Sequence, residues 1–186
     1  MIMQPQPRQN SKSGRQAGRL QVYTGDGKGK TTAALGLTLR AVGAGWRVLF
    51  AQFAKNRDCA ELAALRRLGE SVQIRRYGSE RFLVDPPTPA ERQAARAGLR
   101  EVAELMREPN FDLVILDEAN IAVRYNLFSV DELLSAIDGR ASGTEVAVTG
   151  RHAHPTLLTQ ADLVTEMRKV KHYFDRGLAA RRGIEH

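Results

Sequence analysis

The sequence predicts an α/β fold in which a doubly wound, mostly parallel sheet carries helices on both faces. Short apolar segments alternate along the chain with segments of helical periodicity. The apolar segments are continuous, as is typical of parallel strands that are covered on both faces. Several helical segments begin with capping motifs or end at glycine, which separates them from the strands.

The first half of the chain supplies three predicted strands and two predicted helices. Leu20–Tyr23 has the β-branched and aromatic alternation of a strand. Thr31–Val42 has an apolar helical face and no proline. The other elements predicted here are strands at Arg47–Phe53 and Val72–Tyr77 and a short helix at Cys59–Leu68 that ends at Gly69.

The second half continues the alternation. Thr88 and Glu91 form a capping box with proline between them, which predicts a helix to about Glu108, and Ser129 with Glu132 caps another helix. Further strands are predicted at Phe111–Asp117, Thr144–Thr149 and Asp162–Met167.

Domain organisation follows from composition. Residues 1–18 are rich in Gln, Pro, Ser and Gly and are predicted to be a flexible arm. Residues 19–186 contain no internal repeat or linker and are predicted to form a single domain.

A glycine-rich turn between the first strand and the first helix carries the strongest functional signal. It reads Thr-Gly-Asp-Gly-Lys-Gly-Lys-Thr over residues 24–31, which is a phosphate-binding loop in its expected context. The glycines let backbone N–H groups converge on phosphate oxygens, and the helix N-terminus adds partial positive charge. Lys30 adds a full charge, and Thr31 offers a hydroxyl to magnesium. Thr24 stands where the motif usually begins with glycine. The chain is predicted to bind a nucleoside triphosphate.

Other charged residues follow predicted strands or lie on the first helix. Asp117 and Glu118 end a buried strand, where phosphate-loop proteins place acids that reach magnesium, although solvated turn carboxylates are the alternative. Arg151 follows another strand and either clamps phosphate or is surface charge. Arg40 lies among apolar helix residues and either extends outward or faces the nucleotide.

The net charge and the cysteine content exclude several classes of function. The net charge of +7 comes from 28 basic and 21 acidic residues, and the excess lies in residues 1–19 and 168–186. This distribution favours anionic small ligands or a charged arm over specific nucleic-acid binding. The single Cys59 excludes an internal disulfide and a cysteine-rich zinc site. No membrane-length apolar run or signal-peptide core is present, so a cytoplasmic protein without membrane contact is predicted.

The glycine-rich loop and several further short segments together make the sequence resemble the phosphate-loop corrinoid adenosyltransferases of the cobalamin pathway. The resemblance covers about residues 19–186 and implies a P-loop NTPase, RecA-like fold. It implies transfer of the 5′-deoxyadenosyl group of ATP to Co(I) of a reduced corrinoid, with release of triphosphate and with ATP reversed in the loop. The further segments are Gln52-Phe53, Leu116-Asp117-Glu118, Thr149-Gly150-Arg151, Val164–Arg168, Val170-Lys171-His172 and Arg182–Glu185.

The resemblance also implies roles for individual residues. Lys30, Arg40 and Arg151 are expected to act on the polyphosphate, and Thr31 with Glu118 to hold Mg²⁺ or Mn²⁺. Phe82 stands in the region where many relatives have a Gly-Phe-Thr-Trp string near cobalt, and it is expected to contact the corrinoid. The residues expected to cradle the triphosphate are Gly25, Asp26, Gly27, Lys28, Gly29, Lys30, Thr31 and Thr32.

The expected partners are ATP, the reduced corrinoid and a reductase protein that supplies Co(I). The chain is also expected to form a homodimer in which the N-terminal arm covers the corrinoid.

Two other functions stay open at this point. One is another phosphate-loop kinase or ATPase, and the other is a non-catalytic nucleotide-binding corrinoid carrier. The released product separates them, because adenosyl transfer gives triphosphate, a kinase or ATPase gives ADP, and a carrier gives neither.

Overall fold

The computed structural model describes residues 17–54, 60–78 and 86–185, and six strands form a sheet within them. Their order across the sheet is β3-β2-β4-β5-β1-β6, and each neighbouring pair is parallel. This confirms the predicted α/β class. The strands are β1 (Leu20–Thr24), β2 (Val48–Gln52), β3 (Val72–Arg76), β4 (Leu113–Asp117), β5 (Glu145–Thr149) and β6 (Leu163–Glu166).

Helices cover both faces of the sheet. Helices α1 and α2 pack on one face, and α3 to α6 lie on the other face. The helices are α1 (Lys30–Gly43), α2 (Ala60–Arg66), α3 (Pro89–Arg107), α4 (Ala119–Arg124), α5 (Val130–Asp138) and α6 (Pro155–Gln160).

Strand β2 shows why the predicted strands are continuous apolar runs. Val48 and Phe50 point into the cluster under α1 and α2, whereas Leu49 and Ala51 point into the cluster under α3 to α6. All four side chains are fully buried. A strand that is covered on both faces has no solvent side, so it needs apolar residues at consecutive positions.

Two α-helices among the described residues, α4 and α6, were not predicted. Helix α4 has six residues and starts at Glu118, which has a left-handed backbone (φ 59°), so no capping motif marks its beginning. Helix α6 also has six residues, and the ring of His154 caps it by accepting from Thr156 N at 3.3 Å. Both helices are too short to show a clear apolar period. The expected start of the α2 helix at Cys59 lies outside the described residues.

The chain just before β1 is hydrogen-bonded to the segment that leads into β5. Gly18 is the last residue of the predicted arm, and its N–H donates to Ser142 O at 2.7 Å. A Cβ at Gly18 would lie 2.1 Å from Thr144 O, so Gly18 packs directly against the backbone at the start of β5. Within the described ranges, no helix combines the length and the apolar character needed to cross a membrane.

Replacing Ser129 with alanine should lower the free energy of unfolding by about 1 kcal/mol, because the capping box of α5 depends on its hydroxyl. Glu132 N donates to Ser129 Oγ at 3.0 Å, and Ser129 N donates to Glu132 Oε2 at 2.7 Å. Urea denaturation measures the change. Ser135→Ala makes the same chemical change at an exposed position within α5 and should cost nothing. Equal costs at both positions would contradict this role for Ser129.

Candidate phosphate-binding site

The glycine-rich loop between β1 and α1 takes its shape by packing against the chain that follows β6. Gly27 N donates to Met167 O at 2.6 Å, and Met167 N donates to Thr24 O at 2.8 Å. Gly25 has φ +94°, and a Cβ there would lie 2.5 Å from Met167 O. Glycine is therefore required at this position by both the backbone conformation and the close approach.

The side chain of Lys30 folds over this loop. Its ammonium group donates to Gly25 O at 2.6 Å and to Gly27 O at 2.7 Å, and the residue is only 8% exposed. Burial lowers the pKa of Lys30, and the nearby charge of Arg151 lowers it further, whereas Glu118 and Asp26 act in the opposite direction. A phosphate group at this position would supply the negative charge that these surroundings provide only in part.

Asp117, at the carboxyl end of β4, connects the loop to the strands beside it. Its Oδ1 accepts from Thr31 Oγ1 at 3.0 Å and from Thr149 Oγ1 at 2.7 Å. Its Oδ2 accepts from Gln52 Nε2 at 2.9 Å, and the carboxylate is fully buried. Because the carboxyl ends of parallel strands meet at one edge, β2, β4 and β5 each contribute one residue to this network.

A cavity of about 910 Å³ opens above the loop. The loop and the beginning of α1 form one side of it, and Glu118 and Arg151 come from the ends of β4 and β5. Leu35, Ile121 and Tyr125 contribute apolar surface. The full lining is Gly27, Lys28, Gly29, Lys30, Thr31, Thr32, Leu35, Ala54, Ala60, Glu61, Ala64, Glu118, Ile121, Tyr125, Arg151, His172, Gly183, Ile184 and Glu185.

The structure brings most of the predicted site residues together at this cavity. Gly25 and Asp26 belong to the same loop but do not line the cavity, and Asp26 is exposed. Glu118 lines the cavity, whereas the hydroxyl of Thr31 is hydrogen-bonded to Asp117.

Arg40 and Phe82 are the predicted site residues outside the loop that the structure does not place at the cavity. Arg40 is exposed in the last turn of α1, ten residues after Lys30, which corresponds to about 15 Å along the helix axis. Its exposure agrees with the outward one of the two orientations considered, and the expected contact of Arg40 with the polyphosphate stays a prediction. Phe82 lies outside the described residues.

The residues nearest the carboxyl end of the chain form part of the site that sequence reasoning did not assign. His172 and Gly183–Glu185 line the cavity beside the loop. Their sequence segments contributed to the family resemblance. No periodicity or spacing indicates that Ile184 and Glu185 contact Lys28, which lies more than 150 positions earlier. Asp117 was expected only as one of an acidic pair, and its link to Thr31 through β4 was not predicted.

Comparisons of the chain with known proteins agree with this geometry. The family described as ATP:corrinoid adenosyltransferase BtuR/CobO/CobP matches residues 16–186. A corrinoid adenosyltransferase from Pseudomonas aeruginosa is 37% identical over 169 residues, which cover 90% of this chain and 83% of the relative. The corrinoid adenosyltransferase CobA from Salmonella typhimurium is 37% identical over 167 residues, with 89% and 84% covered. One from Escherichia coli is also 37% identical, over 170 residues.

Among solved structures, the flagellar accessory protein FlaH from Methanocaldococcus jannaschii has a similar fold. The TM-score is 0.52, and the match covers 82% of this chain and 72% of FlaH. The sequence identity is 14%, so this likeness concerns the fold alone.

Proposed function

The chain belongs to the ATP:corrinoid adenosyltransferase family BtuR/CobO/CobP, and we propose a role for each site residue in adenosyl transfer. The enzyme transfers the 5′-deoxyadenosyl group of ATP to Co(I) of a reduced corrinoid and releases triphosphate. The observation that carries the assignment to this site is the glycine-rich loop, which with Lys30, Glu118 and Arg151 surrounds a single cavity. This cavity is large enough for the polyphosphate and part of a second substrate.

The reaction places unusual demands on the protein. Co(I) attacks C5′ with its own electron pair, the bond from C5′ to the phosphate oxygen breaks, and the triphosphate leaves with that pair. Co(I) is a strong nucleophile, so no catalytic base is needed. The protein must align C5′ with cobalt and stabilise negative charge on the leaving triphosphate.

Three kinds of groups at the cavity can stabilise negative charge on the leaving triphosphate. The N–H groups at the start of α1 and in the loop are available to donate to phosphate oxygens, and the helix dipole adds to their effect. Lys30 provides a buried ammonium group beside the loop. Arg151 also lines the cavity and is close enough to lower the pKa of Lys30. The loop and the Lys30 ammonium group are held by hydrogen bonds before the reaction, so they need little reorganisation when charge develops.

The oxygen groups beside the loop fit a divalent cation. We propose that the Thr31 hydroxyl and the Glu118 carboxylate hold Mg²⁺, with Asp117 fixing Thr31 from behind. Hydroxyl and carboxylate oxygens are the ligands that Mg²⁺ prefers, and these residues come together next to Lys30. When bound, the cation adds positive charge at the polyphosphate. Because the Thr31 hydroxyl uses its hydrogen for Asp117, the lone pairs of its oxygen remain available to a cation.

Replacing Glu118 with glutamine should lower adenosyl transfer by about tenfold or more and raise the Mg²⁺ concentration that gives half-maximal rate, because the amide keeps the shape but loses the charge. High Mg²⁺ should restore part of the activity. Glu104→Gln, an identical change on the exposed face of α3, should leave both quantities unchanged. A slower Glu118→Gln enzyme with the parent's Mg²⁺ dependence would place Glu118 outside the metal site.

The proposed assembly is a homodimer that receives Co(I) from a reductase protein. Leu163 and Val164, on the edge strand β6, are 46% and 45% exposed and supply apolar surface for a protein contact. Residues 1–18 are proposed to cover the bound corrinoid, and the cytoplasm is the proposed location.

An anaerobic assay tests the function directly. The purified protein is mixed with ATP, Mg²⁺ and a chemically reduced corrinoid, and the absorbance of the corrinoid and the phosphate products are followed together. The proposal requires an adenosylated corrinoid and one triphosphate for each corrinoid converted. Release of ADP without a cobalt–carbon bond would indicate a kinase or ATPase, and the absence of any product would indicate a carrier.

A further inference from the structure

Two residues close to the carboxyl end of the chain, Ile184 and Glu185, contact the phosphate loop directly. Tyr173 and Arg181 contact Glu185 in turn, and we refer to the four residues as the C-terminal cluster. Lys28 of the loop donates through Nζ to Ile184 O, and the same Nζ lies 3.5 Å from Glu185 Oε1. These contacts join residues that are 156 and 157 positions apart in the sequence.

Glu185 is the centre of this cluster. The hydroxyl of Tyr173 donates to Glu185 Oε1. Arg181 N donates to Oε2 at 2.6 Å, and the guanidinium group of Arg181 donates to Oε1 at 3.4 Å. The guanidinium carbon of Arg181 also lies 5.0 Å from the centre of the Tyr173 ring. The Glu185 side chain is 16% exposed, compared with 41% for Lys28, so the carboxylate is the more firmly held partner of the pair.

Hydrogen bonds keep the Glu185 side chain negatively charged at neutral pH. The hydrogen bond from Tyr173, followed by the bonds from Arg181, lowers the pKa of Glu185 to about 2. A folded-state pKa below the unfolded value means that these interactions are fully present above about pH 5 and are lost only in acid. The carboxylate therefore stays negative while it faces Lys28.

A negative charge beside a triphosphate site would oppose binding if it stood alone. The ammonium group of Lys28 lies beside the Glu185 carboxylate, and Lys28, Ile184 and Glu185 all line the cavity. A lysine side chain in solvent occupies many rotamers, and ordering it on ligand binding costs free energy. Contacts that hold the ammonium group near the loop before ATP arrives reduce that cost.

We infer that Glu185 is a positioning residue, which with the carbonyl of Ile184 holds the Lys28 ammonium group at the edge of the triphosphate cavity so that it meets ATP in a fixed orientation. This inference rests on the adenosyl transfer proposed above. It assigns to the carboxyl end of the chain a direct part in ATP affinity, and it predicts that Glu185 and Lys28 act as one unit.

A double-mutant cycle tests the inference. Glu185→Gln keeps the size of the side chain but removes the charge that faces Lys28, and its single amide oxygen can accept at the position of Oε1 or of Oε2 but not at both. It should raise KM for ATP, and the Kd of ATP measured by calorimetry without corrinoid, by about tenfold, with kcat within about twofold of the parent. Lys28→Met should raise both constants at least as much. The double variant should be no worse than Lys28→Met alone, because Glu185 acts through Lys28.

The controls separate positioning from simple support of the fold. Asp175→Asn removes the carboxylate of a nearby ion pair with Lys169 and should leave the Kd and KM for ATP unchanged. The inference is overturned if Glu185→Gln binds ATP like the parent, if the two single effects add fully in the double variant, or if Glu185→Gln lowers kcat and thermal stability without changing Kd. Failure of the parent enzyme to adenosylate a corrinoid would contradict the proposed function instead, and the calorimetric Kd would still decide the role of Glu185.

Discussion

Lys30→Ala is expected to lower the turnover of adenosyl transfer by at least about 100-fold, the usual effect of losing one preorganised group that stabilises developing charge. The ammonium group of Lys30 donates to two carbonyl groups of the loop and is almost completely buried. Its pKa is lowered mainly by this burial, so the surroundings favour an approaching anion. Alanine keeps the helix start but removes the buried charge.

The thermal midpoint of Lys30→Ala should stay close to that of the parent, because the lysine contacts loop carbonyls rather than either apolar cluster. Single-turnover measurements with reduced corrinoid and saturating ATP give the rate, and thermal unfolding gives the midpoint. Lys169→Ala removes a partly exposed lysine from an ion pair away from the cavity and should leave the rate unchanged. Parent-like turnover in Lys30→Ala would exclude the glycine-rich loop as the ATP site.

The fold was predictable where local patterns are strong. Each of the six strands lies within a predicted segment or extends one residue past it, as β1 does to Thr24. The capping boxes at Thr88 and Ser129 begin α3 and α5 as expected. Helices α4 and α6 escaped prediction because six residues cannot display a helical period. One of them also begins at a left-handed Glu118, a conformation that no sequence motif announces.

The site was predictable where the chemistry lies in one continuous motif. The loop, Glu118 and Arg151 were expected to meet because they follow strands whose carboxyl ends share one edge of the sheet. The sequence could not decide the orientation of Arg40, because that depends on where α1 ends relative to the loop. The contact between Lys28 and Glu185 was not predictable, because it depends on the path of the chain after β6 rather than on any local pattern.

Asp117 links the phosphate-binding loop to the neighbouring strands of the sheet. Its buried carboxylate accepts from Thr31, Thr149 and Gln52, so it joins the loop to β2 and β5. Gln52 Oε1 has no hydrogen-bond partner among the described residues. If Asp117 becomes asparagine, the Gln52 amide can turn over and offer this oxygen to the new N–H₂ group. The hydrogen bonds then survive while the charge is lost.

Asp117→Asn should therefore separate stability from activity. We expect the free energy of unfolding to fall by only about 1 kcal/mol, while adenosyl transfer falls by about 100-fold, because the Thr31 hydroxyl and the proposed Mg²⁺ lose the negative charge behind them. Denaturant unfolding and single-turnover rates at several Mg²⁺ concentrations measure the two effects. Asp112→Asn makes the same change beside the amino end of β4, where the carboxylate accepts from Arg47 N, and it should retain full turnover. Asp117→Asn with turnover within threefold of the parent would show that the charge of Asp117 has no part in the reaction, since its hydrogen bonds alone would then support the site.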